Sequence, residues 1–314
     1  MAPLLLNTAG SQRLAILIYH RVVPEPDPLR PGEPDVAQFD WQMRLLREHF
    51  NPLPLREAVQ RLREGSLPPR AVCVTFDDGY ADNESLALPV LQKYALPATV
   101  FVSTGFLGGG RMFNDCVIET IRHHPGGMLD LVDLGLAAFP LHSVQDRVAA
   151  IEGILASIKE VEPSARLELV TEIENRVGGA PADLMMSNDQ VRHLADSGVE
   201  IGAHTVNHPI LTSVPDFEAR SEISASKTYL EDVLQRPVRA FAYPNGRPGK
   251  DYASAHSAMV SEVGFELAVS THWGVCTSAS DVFQLPRFTP WDRTPVRFAA
   301  RLLLNYRRAD PLAA

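Results

Sequence analysis

Cysteine is scarce in this chain, with three in 314 residues, at Cys73, Cys116 and Cys276. The count is odd, the spacing wide, and no C-x-x-C pair occurs, so neither a disulfide framework nor a thiolate zinc site is indicated. All three read as small core or near-surface residues. A basic surface is lacking as well: 29 Lys and Arg against 38 Asp and Glu leave a net charge of −9, with no basic run beyond "YRRAD" (306–310). Nucleic acid is therefore not an expected partner. Long apolar runs are absent too. The N-terminal "MAPLLLNTAGSQR" (1–13) has three consecutive leucines and no basic residues before them, too short for a signal peptide or for the roughly 20 residues of a membrane span. The expectation is a cytoplasmic protein without an integral membrane segment. Its oligomeric state is left open.

What is present is a set of short apolar stretches, most ending in a polar or titratable residue: "LAILIYH" (14–20), "AVCVTFDD" (71–78), "PATVFVST" (97–104), "GVEIGAH" (198–204), "VRAFAYP" (238–244), "FELAVST" (265–271) and "FQLPRF" (283–288). Runs of this length suit strands covered on both faces, as in a parallel sheet. Helical patterns lie between them at 38–50, 85–95, 187–198 and 217–234, the third opening on Ser187 as N-cap and stopping at Gly198. Seven strands, or eight with "FNPLPL" (50–55), alternating with helices predict an α/β fold close to a (β/α) barrel. Residues 105–186 break the rhythm. They open on "GFLGGGRMF" and carry apolar residues at helical spacing, Val144, Val148, Ile151, Ile154, Leu155 and Ile158, with no strong strand. The expected organisation is one domain over 1–314 with a helical insertion at 105–186.

In a barrel of this kind, the active site is built at the C-terminal ends of the strands. The residues there are His20, Asp77 with Asp78, Ser103 with Thr104, His204, Tyr243, Thr271 and Arg287. His204 and His208 are spaced as i, i+4, but no Glu follows His204 and Pro209 disfavours a helix at His208, so the pair is expected on a tight turn leaving a strand. Two imidazoles with one carboxylate form the three-ligand set of a catalytic zinc, which leaves a position for water. Adjacent aspartates then have a rationale. One binds the metal, and its neighbour is free to act as a base.

The motifs "TFDDGY" (75–80), "HTVNH" (204–208), "FAYPNG" (241–246) and "LPRF" (285–288), in this order, resemble the polysaccharide deacetylases, carbohydrate esterase family 4, with the NodB-homology fold. The resemblance covers about residues 70–290 and implies a deformed (β/α)7–8 barrel. It also implies Asp77 as general base, a divalent metal ion, usually zinc, on Asp78, His204 and His208, and Thr205 steadying the turn between the histidines. Two departures stand out. Many members carry an Arg that orients the catalytic Asp where this chain has Ala242, a form similar to the branch acting on poly-N-acetylglucosamine-type exopolysaccharides. Arg287 is the expected substitute, against an alternative in which it pairs with Asp281 or Asp292. The C-terminal Leu-His motif that normally supplies the general acid is also missing. His20 is the expected acid, with His272 as rival.

The implied reaction is hydrolysis of N-acetyl groups on amino sugars of a polysaccharide or its precursor, releasing acetate. A backbone N–H of the Tyr243–Asn245 turn would stabilise the oxyanion. Trp273, Trp291, Phe106, Met112 and Phe113 are candidate sugar contacts, Trp273 and Phe113 foremost. The alternatives are an allantoinase-like amidohydrolase of the same fold and a non-catalytic carbohydrate-binding member. Without an export signal, a lipid-linked or nucleotide-linked precursor or a nascent polysaccharide is the expected partner.

Overall fold

The computed structural model describes residues 12–159, 161, 163–178 and 184–307. Both the leucine-bearing segment before residue 12 and the "YRRAD" run from Arg308 onward lie outside the described residues. In chain order the strands are β1 (Leu14–Tyr19), β2 (Asn51–Pro52), β3 (Ala71–Phe76), β4 (Ala98–Val102), β5 (Met128–Asp130), β6 (Ala138–Pro140), β7 (Glu200–Ala203), β8 (Ala240–Ala242), β9 (Leu267–Trp273) and β10 (Leu285–Arg287). The helices are α1 (Val36–His49), α2 (Leu55–Glu64), α3 (Leu88–Lys93), α4 (Phe113–His123), α5 (Val144–Ile158), α6 (Pro163–Asn175), α7 (Asn188–Asp196), α8 (Asp216–Leu234), α9 (Ser254–Glu262) and α10 (Pro295–Asn305).

Seven strands form a parallel sheet in the order β1, β3, β4, β7, β8, β9, β10, and short β2 pairs with the start of β3. The sheet curls back on itself. Just past β10, the Phe288 N–H donates to Ile16 O (2.7 Å), and Phe288 O accepts from the Ile18 N–H (3.0 Å), joining the last strand to the first. This is the barrel expected from seven apolar runs, with "FNPLPL" contributing only the two residues of β2.

Alternation along the strands divides the core in two. Leu14, Ile16, Cys73, Phe101, Ala240, Ala242, Leu267, Val269 and Leu285 form the cluster inside the barrel, where α2 adds Leu55, Ala58, Val59 and Leu62. Leu17, Tyr19, Val72, Val74, Phe76, Val100, Val102, Phe241 and Phe288 belong to the other cluster, packed against the helical layer. The Phe101 ring crosses the interior so closely that a Cβ at residue 202 would overlap it, which restricts that position to Gly202. Parity also carries the interior residues of β3 and β10 onward to Asp77 and Arg287 at the barrel mouth. All three cysteines are buried, and none is in a disulfide.

Between β4 and β7 the chain builds a separate apolar cluster from α4, α5 and α6, with Val117, Ile121, Ile151, Ile154, Ile158, Val170 and Ile173 at its centre. Beside these helices, residues 105–186 contain a short antiparallel β5–β6 hairpin. Strands of three residues are too short to show a period-2 pattern. The far end of this segment is tied to the Asp-Asp-Gly turn: Met186 N donates to Gly79 O (3.0 Å) and Ala81 N to Leu184 O (2.8 Å). Among the described residues, no helix is long and apolar enough to cross a membrane.

Candidate active site

The mouth of the barrel gathers Asp77, Asp78, His204, His208 and Arg287 from three strand ends. Asp77 is almost fully buried, and Arg287 meets it as a fork, Nη1 to Oδ1 at 2.7 Å and Nη2 to Oδ2 at 2.6 Å. The guanidinium is itself held, with Nε donating to Ser270 O (2.8 Å) and Nη1 also to Thr75 Oγ1 (3.2 Å). Bidentate geometry of this kind fixes the carboxylate plane as well as its charge. Burial alone would raise the Asp77 carboxyl; the guanidinium beside it, with His204 and His20, holds it below the usual range. The alternative partners of Arg287 are engaged elsewhere, Asp292 with Arg301 (2.6 Å) and Asp281 with Gln284 (2.8 Å).

Asp78 Oδ1 is buried and makes no hydrogen bond, yet it stands 3.4 Å from His204 Nε2 and 3.5 Å from His208 Nε2. One donor atom from each of the three residues falls within a 4.8 Å span. His204 Nδ1 lies 2.7 Å from Ala242 O. A carbonyl can only accept, so Nδ1 carries the proton and Nε2 presents its lone pair. Burial pushes the His208 imidazole down to about 4 against the pull of Asp78, so this ring is neutral at pH 7. For Asp78 the burial cost is outweighed by the neighbouring imidazoles, and its carboxyl is held low. An orphaned carboxylate oxygen facing two imidazole nitrogens fits a divalent cation.

The turns carrying these residues are strained. Asp78 (φ 75°), Thr205 (65°), His208 (55°) and Asn245 (57°) are four of seven described non-glycine residues with positive φ. Each costs roughly 1–2 kcal/mol and must be held by its surroundings. Thr205 Oγ1 donates to His204 O (2.5 Å) and accepts from the His208 N–H (3.1 Å), closing the turn between the histidines.

The other candidates divide. His20 follows β1; burial lowers its imidazole, but Asp78, Glu33 and Asp77 together raise it above the ordinary value. His272 on β9 is bonded through Nδ1 to Ser270 Oγ (2.6 Å). Tyr243 requires a correction. Its N–H donates to Val269 O (3.2 Å), its hydroxyl donates to Phe283 O (2.9 Å), and its ring stacks on Tyr252 at 3.8 Å. Strand parity turns its side chain into the outer layer, so neither polar group is available to an oxyanion. Pro244 has no N–H, and the Asn245 N–H, without a hydrogen-bond partner among the described residues, is the donor left in that turn.

Trp273 stacks between Phe288 (5.4 Å) and Trp291 (4.9 Å) beside a cavity of about 400 Å³ lined also by Arg297, Arg301 and Leu304. Phe113 packs against the insertion cluster under the Arg166 guanidinium (4.2 Å), while Met112 and Phe106 pack with Tyr80 and Met185. These three serve packing at the root of the insertion. Thr75 and Ser270, which orient Arg287, had no sequence signal as site residues.

The parallel barrel with a carboxylate and imidazole cluster at its strand ends defines the class, a NodB-type deacetylase fold. The chain belongs to the polysaccharide deacetylase family, whose model matches residues 64–149 and 159–267, and by family it is a carbohydrate esterase. It is similar to the Bacillus subtilis (strain 168) protein YxkH, a polysaccharide deacetylase by name, at 21% identity over 284 residues, covering 90% of this chain and 73% of that one. A Staphylococcus aureus (strain MSSA476) poly-β-1,6-N-acetyl-D-glucosamine N-deacetylase is 35% identical over 79 residues, 25% of this chain and 27% of that protein. Among solved structures, the Streptococcus pyogenes deacetylase PplD in complex with acetate superposes with a TM-score of 0.61 at 21% identity, covering 94% of this chain and 99% of that one.

Proposed function

We propose that the protein hydrolyses N-acetyl groups on amino sugars of a poly-N-acetylglucosamine-type polysaccharide or its precursor, releasing acetate and a free amine. The observation that carries this reading is the Arg287-clamped Asp77 beside the Asp78, His204 and His208 triangle. Family membership and the Staphylococcus aureus relative support the substrate class. The ties between residues 79–81 and 184–186 support reading 1–314 as one deacetylase domain with an insertion at 105–186.

In this reading Asp78, His204 and His208 hold a divalent ion, most simply zinc given two nitrogen donors and one oxygen. The ion supplies Lewis acidity to the acetyl carbonyl and lowers the pKa of water towards about 7. Asp77, kept ionised by Arg287, takes the proton of the attacking water. The Asn245 N–H donates to the oxygen on which negative charge accumulates. His20 protonates the departing amine, without which the C–N bond of an amide does not break; its proximity to Asp77 and Asp78 favours it over His272, which is bonded to Ser270. Trp273 and Trp291 offer an aromatic surface for a neighbouring sugar ring.

Acetate release from β-1,6-linked N-acetylglucosamine oligomers tests the reaction: none above background would remove the proposal. For the acid, His20→Ala is expected to lower turnover of the amide by about 10²-fold and of an activated acetyl ester far less. Equal small losses on both would return the role to His272.

A further inference from the structure

Helix α8 buries Ala219, Glu222, Ile223, Ser226 and Leu230 on one face. Glu222 is the single carboxylate in that stripe and is 8% exposed. A buried carboxylate is retained at no net cost only where its oxygens are fully hydrogen-bonded. Here Oε2 accepts from the consecutive backbone N–H groups of Val206 and Asn207, both at 2.8 Å, and Oε1 accepts from Asn207 Nδ2 at 2.7 Å. Val206 and Asn207 lie between His204 and His208.

The opposite side of the same loop is bound as completely. Ser103 Oγ donates to His204 O (3.0 Å), Thr104 N to Thr205 O (3.1 Å) and Gly105 N to Val206 O (2.8 Å). A Cβ at Gly105 would lie 2.8 Å from both Val206 O and Asn207 Oδ1, so the loop has no room to retreat towards β4. Thr205 and His208, both with positive φ, are the strained residues of this segment. The backbone N–H groups of residues 206–208 all have acceptors: Glu222 takes the first two and Thr205 Oγ1 the third.

We propose that Glu222 is a positioning residue for the metal centre: its carboxylate clamps the 206–207 backbone so that His204 and His208 present both Nε2 atoms to Asp78. The inference rests on the metal-site reading given above. Without the clamp, two adjacent N–H groups lose their buried acceptor, the loop relaxes out of its left-handed conformation, and His208 swings away while His204 stays anchored by Ala242 O. The clamp acts by accepting hydrogen bonds, not through its charge, so a neutral isostere serves: in Glu222→Gln the amide oxygen still accepts from both backbone groups, and the Asn207 side chain turns over to meet the new NH2.

The test is zinc affinity of the full-length protein, measured by chelator competition at a temperature where circular dichroism shows each metal-free variant folded. Glu222→Ala and Glu222→Asp, which is one methylene too short to reach both N–H groups, are expected to bind zinc 10- to 100-fold more weakly, in the range of lost outer-shell partners. Glu222→Gln is expected to stay close to the unmodified protein. If the alanine variant does not fold, the aspartate and glutamine pair decides the question. Affinity unchanged in the aspartate variant, or equally weakened in the glutamine variant, overturns the clamp. Failure of the unmodified protein to bind zinc would instead overturn the metal-site reading beneath it.

Discussion

Two buried arginine–carboxylate clusters lie on either side of the Asp-Asp-Gly-Tyr turn, and they are built differently. At the barrel mouth, Arg287 gives each Asp77 oxygen its own N–H, and its remaining contacts reach Ser270 O and Thr75 Oγ1. At the root of the insertion, Arg30 shares one Nη2 between Asp115 (2.7 Å) and Glu119 (3.1 Å), leaving its Nε buried without a partner. Tyr80 OH donates to the second Asp115 oxygen at 2.9 Å. Burial governs the Asp115 carboxyl and raises it in spite of Arg30, whereas Asp77 is held low. Depth of burial is alike in both, so it does not decide the direction of the shift. The number and aim of the donors does. The first cluster favours the ionised carboxylate that the proposed base requires, and the second joins α4 to the Tyr80 loop.

Breaking the stronger cluster has the largest expected effect on stability. Arg287→Met leaves Asp77 buried without its cation, expected to cost about 3–5 kcal/mol in urea unfolding at pH 7. The sign of the pH dependence follows from Asp77. In the unmodified protein its depressed carboxyl contributes stability above about pH 4, lost as pH falls through the folded value. In the variant, burial is no longer offset by the guanidinium, the carboxyl rises, and protonation relieves the penalty. The deficit should therefore shrink as pH is lowered, and the acidic limb of the rate profile should move to higher pH. A deficit independent of pH would mean that Arg287 acts through packing alone.

The same type of change at the second cluster has the smallest expected effect. Asp115→Asn keeps an acceptor for Tyr80 but leaves the buried Arg30 with Glu119 as its remaining carboxylate, so a smaller cost of about 1–3 kcal/mol is expected and turnover should hold. A large loss of turnover with intact folding would show that the insertion network tunes the reacting groups, which would erase the contrast.

Much of this was legible beforehand because strand parity and strand ends are sequence features. The apolar runs before His20, Asp77, His204 and Arg287 each end at the mouth, and the parity that buries Cys73 and Leu285 inside the barrel delivers Asp77 and Arg287 to one another. Less visible was anything defined by partners remote in sequence. Tyr243 sits at a strand end as expected, yet parity turns it outward. Ala242 marks a missing arginine in the sequence, while its carbonyl, which no side-chain pattern reports, orients His204. Glu222 resembles any acidic residue of an exposed helix until the helix face is known. Tyr229 on the same helix is aromatic, yet it is 39% exposed and hydrogen-bonded to Asn188. Hairpin β5–β6 is too short to announce itself.

The most direct test of the central claim, that Asp77 is the base and its neighbour Asp78 a metal ligand, measures acetate release and bound zinc together in Asp77→Asn. The account predicts turnover lower by about 10²–10⁴-fold with zinc retained at the level of the unmodified protein. Acetate release at the unmodified rate, or loss of zinc in step with activity, would contradict it.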